Sequence, residues 1–169
     1  MPIQRCGCLF LVAVLLLAAA AAAEEPTATT TETTETAAIS LDRLSVAGAL
    51  TMLRTVVDTR GLEPIDDHTV GITDAPEVVA LARTVIDLAE HPSDLAGEVT
   101  THTAADGSVI AAVRLQHALL PDVARALRVE VHIKKLAFED ALPTVVVRDT
   151  PEQVAAAIAL MRRLDQAPQ

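Results

Sequence analysis

Aromatic residues are almost missing from this sequence: Phe10 and Phe138 are the full complement, with no Trp and no Tyr. Any core must therefore be built from Val, Leu, Ile and Ala, and a groove that stacks nucleobases on aromatic rings is excluded. Cysteine is confined to Cys6 and Cys8, both near the start of an N-terminal apolar run. No Cys follows that run, where a lipid-attachment signal would need one. Once such a leader is cleaved, a disulfide, a thiolate metal site and a Cys nucleophile are all ruled out. Glycine is also scarce, at six residues. No G-x-x-x-x-G-K-[ST] or G-x-G-x-x-G is present, so nucleotide binding has no support. Basic residues are outnumbered 13 to 23 by acids, for a net charge of −10. Loss of Arg5 with the leader makes the balance more negative still. That charge repels phosphate backbones and anionic lipid, which argues against a nucleic-acid partner. The one basic cluster, Lys134-Lys135 with Arg125 and Arg128, reads as a solvated face.

Residues 1–23 have the three parts of a secretory signal peptide: a short start with Arg5, an apolar core at 8–17, and an Ala-rich end offering A-x-A cleavage sites. The apolar stretch 9–23 falls short of the ~20 residues that span a bilayer. The expected location is periplasmic, or at least extracytoplasmic. An uncleaved leader would instead make the chain a membrane-tethered structural spacer of the cell envelope, touching membrane only through that leader. Residues 24–38, EEPTATTTETTETAA, lack large apolar side chains and read as a disordered Thr/Glu-rich tether.

The remaining chain is organised around a repeated stretch. Val145-Val146-Val147-Arg148-Asp149-Thr150-Pro151-Glu152-Gln153 is an apolar strand that stops at a helix start, with an amphipathic run over 154–164. The same plan stands 75 positions earlier, in Val70-Gly71-Ile72-Thr73-Asp74-Ala75-Pro76-Glu77 and the run 78–89. Pro suits the first helical position, where its missing N–H would be unpaired anyway. Glu77 and Glu152 complement the helix dipole. Thr150 and Gln153 form the pattern of a capping box. Ahead of each copy lies a strand and a helix: strand 39–44, Ser45 as N-cap and an apolar helix face ending at Gly61; then strand 109–115 and a helix opened by Pro121. The alternation of Val129, Val131 and Ile133 with Glu130, His132 and Lys134 predicts a half-buried strand. Val79, Ala82, Val85, Ile86 and Ala89 are expected on the buried face of one closing helix, and Val154, Ala157, Ile158, Met161 and Leu164 on that of the other. The predicted fold class is α+β, with two tandem β-α-β-β-α domains at 39–92 and 108–166. Each has two helices packed on a short mixed sheet, and the connector is 93–107.

No constellation of an enzyme emerges. His68, His91, His102, His117 and His132 form no H-E-x-x-H pair. Ser45 and Ser108 lack a G-x-S-x-G context. Asp66-Asp67-His68 offers metal-ligand types and leaves a metal-dependent envelope hydrolase as an alternative, although Asp-Asp before a strand is first a turn. His117 follows the strand 109–115, and the family resemblance given next implies a structural hydrogen bond there. Catalytic, cofactor-binding and metal residues are assigned to none, and no cofactor is expected.

The stretch 145–154 closing in Leu164-Asp165 resembles the final strand and helix of the periplasmic N-terminal domains (NolW-like, or secretin N) of bacterial secretins. Secretins are the outer-membrane channels of type II and III secretion and type IV pilus systems. Val113-Arg114-Leu115-Gln116-His117-Ala118 and Asp122-Val123-Ala124-Arg125-Ala126-Leu127-Arg128 resemble that family's opening strand and helix. Residues 53–60 and 70–78 match it more loosely, so the likeness runs over 39–165. It implies small α+β domains that stack into rings and contact envelope machinery. A chain without that family's channel domain is expected, and Ala75 stands where the second copy has Thr150. The expected function is an exported, non-enzymatic secretin-N-like interaction module, accessory to a secretion or pilus assembly. Its partners would be envelope proteins, either a secretin or copies of itself.

Overall fold

The computed structural model describes residues 33–166. The expected signal peptide and residues 24–32 of the expected tether lie outside the described residues. In chain order the elements are β1 (Glu35–Ser40), α1 (Val46–Met52) running into a π-helical turn (Leu53–Val57), β2 (Leu62–Asp66), β3 (Thr69–Asp74) and α2 (Pro76–Glu90). Two short strands follow, β4 (Ser93–Asp94) and β5 (Thr101–Thr103). Then come β6 (Val109–Arg114), α3 (Leu120–Ala126) with its own π-helical turn (Leu127–Val131), β7 (Lys135–Glu139), β8 (Thr144–Asp149) and α4 (Pro151–Leu164). The fold is α+β.

β1, β3 and β2 form an antiparallel sheet in that order. The second sheet runs β4-β6-β8-β7, with β5 also paired to β6. Only this second sheet is mixed, because β4 is parallel to β6. The first sheet lies on α1 and α2, and those helices lie in turn on the second sheet, whose far face carries α3 and α4. Four layers result: sheet, helices, sheet, helices. The second sheet divides its side chains between two cores. Ile110, Ala112, Ala137 and Val146 join the α1/α2 core, whereas Ala111, Val113, Leu136, Val145 and Val147 join the α3/α4 core. A strand covered on both faces needs apolar residues at every position rather than at alternate ones. The Val145-Val146-Val147 run meets that need, and every residue of β8 is buried. β1 has one free face and alternates, with Ala37 and Ile39 buried and Ala38 and Ser40 exposed.

Several expectations are corrected. Residues 35–38, read as tether, belong to β1 and pair with β3; an edge strand needs only small residues such as Ala37 to enter the core. The connector 93–107, in which a short strand is expected at 98–102, carries β5 at Thr101–Thr103 and also β4, and it is docked on the second repeat. Arg162 donates to the carbonyls of Leu95 and Gly97, and Leu95 is buried. The strand expected over 129–134 does not form. Leu127, fully buried, holds that segment on α3 through the π-helical turn, Val129 points to solvent, and the strand starts at Lys135. Alternating β-branched residues look alike in a strand and in a last helical turn. In α4 the buried set is Val154, Ala157, Leu160 and Met161; Ile158 is half-buried and Leu164 exposed. All five residues expected on the buried face of α2 are buried. The capping box is half formed. Thr150 accepts from the Gln153 N–H at 3.4 Å, but its own N–H donates to Asp149 Oδ1 rather than to Gln153.

Both π-helical turns end on a left-handed residue, Asp58 (φ 71°) and His132 (φ 61°). A non-glycine residue there costs roughly 1–2 kcal/mol, against which glycine costs about 0.5–1 kcal/mol in chain entropy. His132 is exposed, so His132→Gly is expected to stabilise the protein by about 0.5–1 kcal/mol. Urea unfolding measures this, and a lower midpoint would contradict it.

Candidate functional site

The polar residues of the repeated stretch are the first candidates for chemistry, and the two strand-end Asp carboxylates are engaged within the fold. Asp74 accepts from the Ala75 N–H at 2.9 Å and the Thr59 hydroxyl at 2.8 Å. Its counterpart Asp149 accepts from the Thr150 N–H at 2.9 Å and the Lys134 N–H at 3.0 Å. In both repeats the strand-end carboxylate thus ties the helix start to the loop that follows the π-helical turn.

A second pair was not singled out from the sequence. Glu90, buried at the end of α2, accepts from three successive backbone N–H groups, those of Asp42, Arg43 and Leu44, at 2.8–3.1 Å. Asp165, just past α4, accepts from Gln116, His117 and Ala118 at 2.7–3.0 Å. The signal was present: an acid at a helix C-terminus opposes the dipole, and here it recurs at a spacing of 75. Partial burial alone would raise the Asp165 pKa. The N–H groups of Ala118, His117 and Gln116 outweigh it and hold the carboxyl below the usual range. His117 contributes its backbone N–H to this clamp, and its side chain is exposed.

Asp66, Asp67 and His68 are all exposed and form a turn between β2 and β3. The His68 N–H donates to Asp66 Oδ1 at 2.8 Å and is the main cause of a lowered Asp66 pKa. Among the described residues no three or more His, Cys, Asp or Glu side chains gather as a metal site would require. Ser45 caps α1 by accepting from the Gly48 N–H and donates to the buried Glu139. That bond crosses from one repeat to the other. Ser108 accepts from Arg148 and donates to Asp106 at 2.6 Å. His91 lies against Asp87 on α2, and His102 and His132 are exposed.

Arg148, at the end of β8, is buried. Its guanidinium donates to the Val56 carbonyl at 2.9 Å, to Ser108 at 2.8 Å and to Asp106 at 2.7 Å. It therefore fastens the first repeat's π-helical turn to the hairpin of the second. Lys135 adds a bond to Asp58 at 3.1 Å. The basic cluster of the sequence is split in space. Lys134 and Lys135 join Arg148 beside a cavity of about 250 Å³ near the start of α4. Arg125 and Arg128 line a separate groove of about 380 Å³ with Pro121, Ala124, Val129 and Phe138. The repeats also differ in charge: residues 39–92 hold nine acids and four bases, residues 108–166 seven acids and eight bases.

The chain is similar to several solved structures. One such structure is the N-terminal domain of the secretin XcpQ from Pseudomonas aeruginosa, at 15% identity and TM-score 0.34, covering 79% of this chain and 62% of that one. Another is the pilotin–secretin AspS–GspD complex of ETEC, at 20% identity and TM-score 0.32, covering 82% of this chain and 25% of that one. A third is the Salmonella SPI-1 type III secretion injectisome basal body with InvG, PrgH and PrgK, at 16% identity and TM-score 0.32, covering 79% and 30%. The chain thus spans less than two-thirds of each of these relatives. TM-scores of this size carry no residue role from those proteins to this one. No protein-family model and no curated protein matches the sequence.

Two predictions follow from the carboxylates. Glu90→Gln replaces an acceptor of three N–H groups by an amide that turns a donor toward them. It should cost about 2–3 kcal/mol in urea unfolding, and Asp165→Asn, which is less buried, about 1 kcal/mol. Equal midpoints for wild type and Glu90→Gln would show the clamp to be idle. The pKa of Asp106 is held at about 2 by the Ser108 hydroxyl, then by the Ser108 N–H and Arg148. A depressed carboxylate contributes stability above its unfolded value, near 3.8, that is lost as pH falls towards 2. Asp106→Asn should therefore flatten the fall in melting temperature between about pH 4 and pH 2, leaving neutral-pH titration unchanged.

Proposed function

We propose that this protein is an exported, periplasmic interaction module with two secretin-N-like domains, accessory to a secretion or pilus envelope assembly. It acts by protein–protein contact and performs no chemistry of its own. The carrying observation is the use of the conspicuous polar residues. Asp74, Asp149, Glu90 and Asp165 accept backbone hydrogen bonds inside the fold, while both sheets end in strand edges. Strand edges are surfaces on which another chain adds by main-chain bonding. The resemblance of 145–165 and 113–128 to secretin N-terminal domains supports the same reading. No helix among the described residues is long and apolar enough to cross a membrane.

The partner is a secretin or further copies of this chain. Light scattering on the exported protein, alone and mixed with a purified secretin periplasmic region, tests this. Oligomers or a co-eluting complex are expected. A strict monomer that binds no secretin would sink the reading.

A further inference from the structure

β7 is the last strand of the second sheet, and only one of its sides is paired. All five residues face β8, and among the described residues no backbone group of 135–139 bonds elsewhere. An open strand edge is a template for another strand. The matching edge of the first repeat, β2, carries Pro64, which cannot donate to an added strand; β7 has no proline. The stretch across it, Lys134-Lys135-Leu136-Ala137-Phe138-Glu139-Asp140, has two bases, three apolar residues and two acids. Read backwards, its charges are reversed. Side chains alternate between faces: Ala137 belongs to the α1/α2 core and Leu136 to the α3/α4 core. Carried one residue past each end of β7, the alternation puts Lys134, Phe138 and Asp140 on the face of Leu136, and all three are exposed. Phe138 is the one aromatic residue among the described residues, and it sits 37% exposed beside the groove of Val129. Neither Lys134 nor Asp140 forms a salt bridge among the described residues. Lys135 and Glu139, by contrast, are engaged with Asp58 and Ser45.

We propose that β7 pairs antiparallel with β7 of a second copy, about a two-fold axis at Ala137, and so joins the two second sheets into one. Charge selects this partner and its register. In an antiparallel pair, residues of like backbone orientation stand opposite each other, so the axis falls on a residue and not between two. Centred on Ala137, Leu136 faces the partner's Phe138 and Lys134 faces the partner's Asp140, and the symmetry makes each contact twice. Lys135 and Glu139 stand opposite as well, while each keeps the bond it makes in its own chain. Centred on Leu136, Lys134 would face Phe138; centred on Phe138, Asp140 would face Leu136. Neither of those registers sets base against acid at both ends. Opposite charges and apolar neighbours across strands both favour pairing, and diagonal positions are within reach of aromatic side chains, which brings the two Phe138 rings together. β1, the outer strand of the first sheet, holds Glu35 and no base to oppose it in a second copy. A five-residue pairing is small beside the ~1,200–2,000 Å² of a stable interface, so the dimer forms with rising concentration. The inference rests on the proposed role as a contact module and names the contact.

Charge exchange tests it on the full exported chain, by light scattering over rising concentration at low salt, where surface charges are least screened. Lys134→Glu sets Glu against Asp140 twice, and Asp140→Lys sets Lys against Lys134 twice. Each variant alone is expected to dimerise roughly tenfold more weakly than wild type. Both substitutions in one chain set opposite charges across the axis again, and mixing the two single variants does the same. Dimer of wild-type strength is expected in both cases. Both side chains are exposed, and circular dichroism checks folding. A wild-type chain that stays monomeric across the range, single variants that dimerise like wild type, or no recovery on exchange overturns the pairing. Capture of a secretin by all variants alike, with no loss of dimer in the single variants, would leave the broader role standing while removing this contact.

Discussion

The centre of the second sheet, β6 and β8, is covered on both faces, and the rest of the structure follows from that. It must satisfy two layers of helices at once, so β6 and β8 are apolar on both sides, with Ile110, Ala112 and Val146 serving one core and Val113, Val145 and Val147 the other. Hydrophobic burial contributes roughly 25 cal/mol per Å², and here the same strands contribute to both cores. At the end of β8 the side chain of Arg148 lies between the two repeats rather than in solvent. Its burial is tolerable because three acceptors from two repeats surround the guanidinium. Shared sheet and shared arginine join the two repeats into one compact unit over the described residues 33–166.

Within each repeat the same small set of carboxylates sets the geometry. A helix-end acid holds three backbone N–H groups of the first loop, and a strand-end Asp holds the helix start and the loop after the π-helical turn. These bonds fix where α1 and α3 begin and where β2 and β7 begin. They also account for residues that would otherwise suggest catalysis.

Much of this was legible from residue pattern. The 75-residue spacing, Pro76 and Pro151 at helix starts, and the buried face of α2 were all readable, because helix periodicity and cap chemistry are local. The all-Val run of β8 was readable as an apolar strand, but its burial on both faces emerged only from the packing. Legibility failed where a local pattern has two readings. Val129, Val131 and Ile133 alternate like a strand, yet Leu127 anchors them to a helical turn. Thr and Glu before Ala37 look like tether, yet β3 offers them an edge. Glu90 and Asp165 were readable only as misplaced charges, since their donors lie 46–49 residues away in sequence.

The sequence by itself determined the α+β class and the order strand, helix, strand, strand and helix, which recurs once. Each of these depends on residue type and on spacing within a dozen positions. Tertiary structure alone decided that the first repeat's helices pack on the second repeat's sheet. It likewise decided that Arg148 bridges the repeats, and that Lys134 and Lys135 part from Arg125 and Arg128. Those outcomes depend on which faces meet, and long-range packing is not encoded in the order of neighbouring residues.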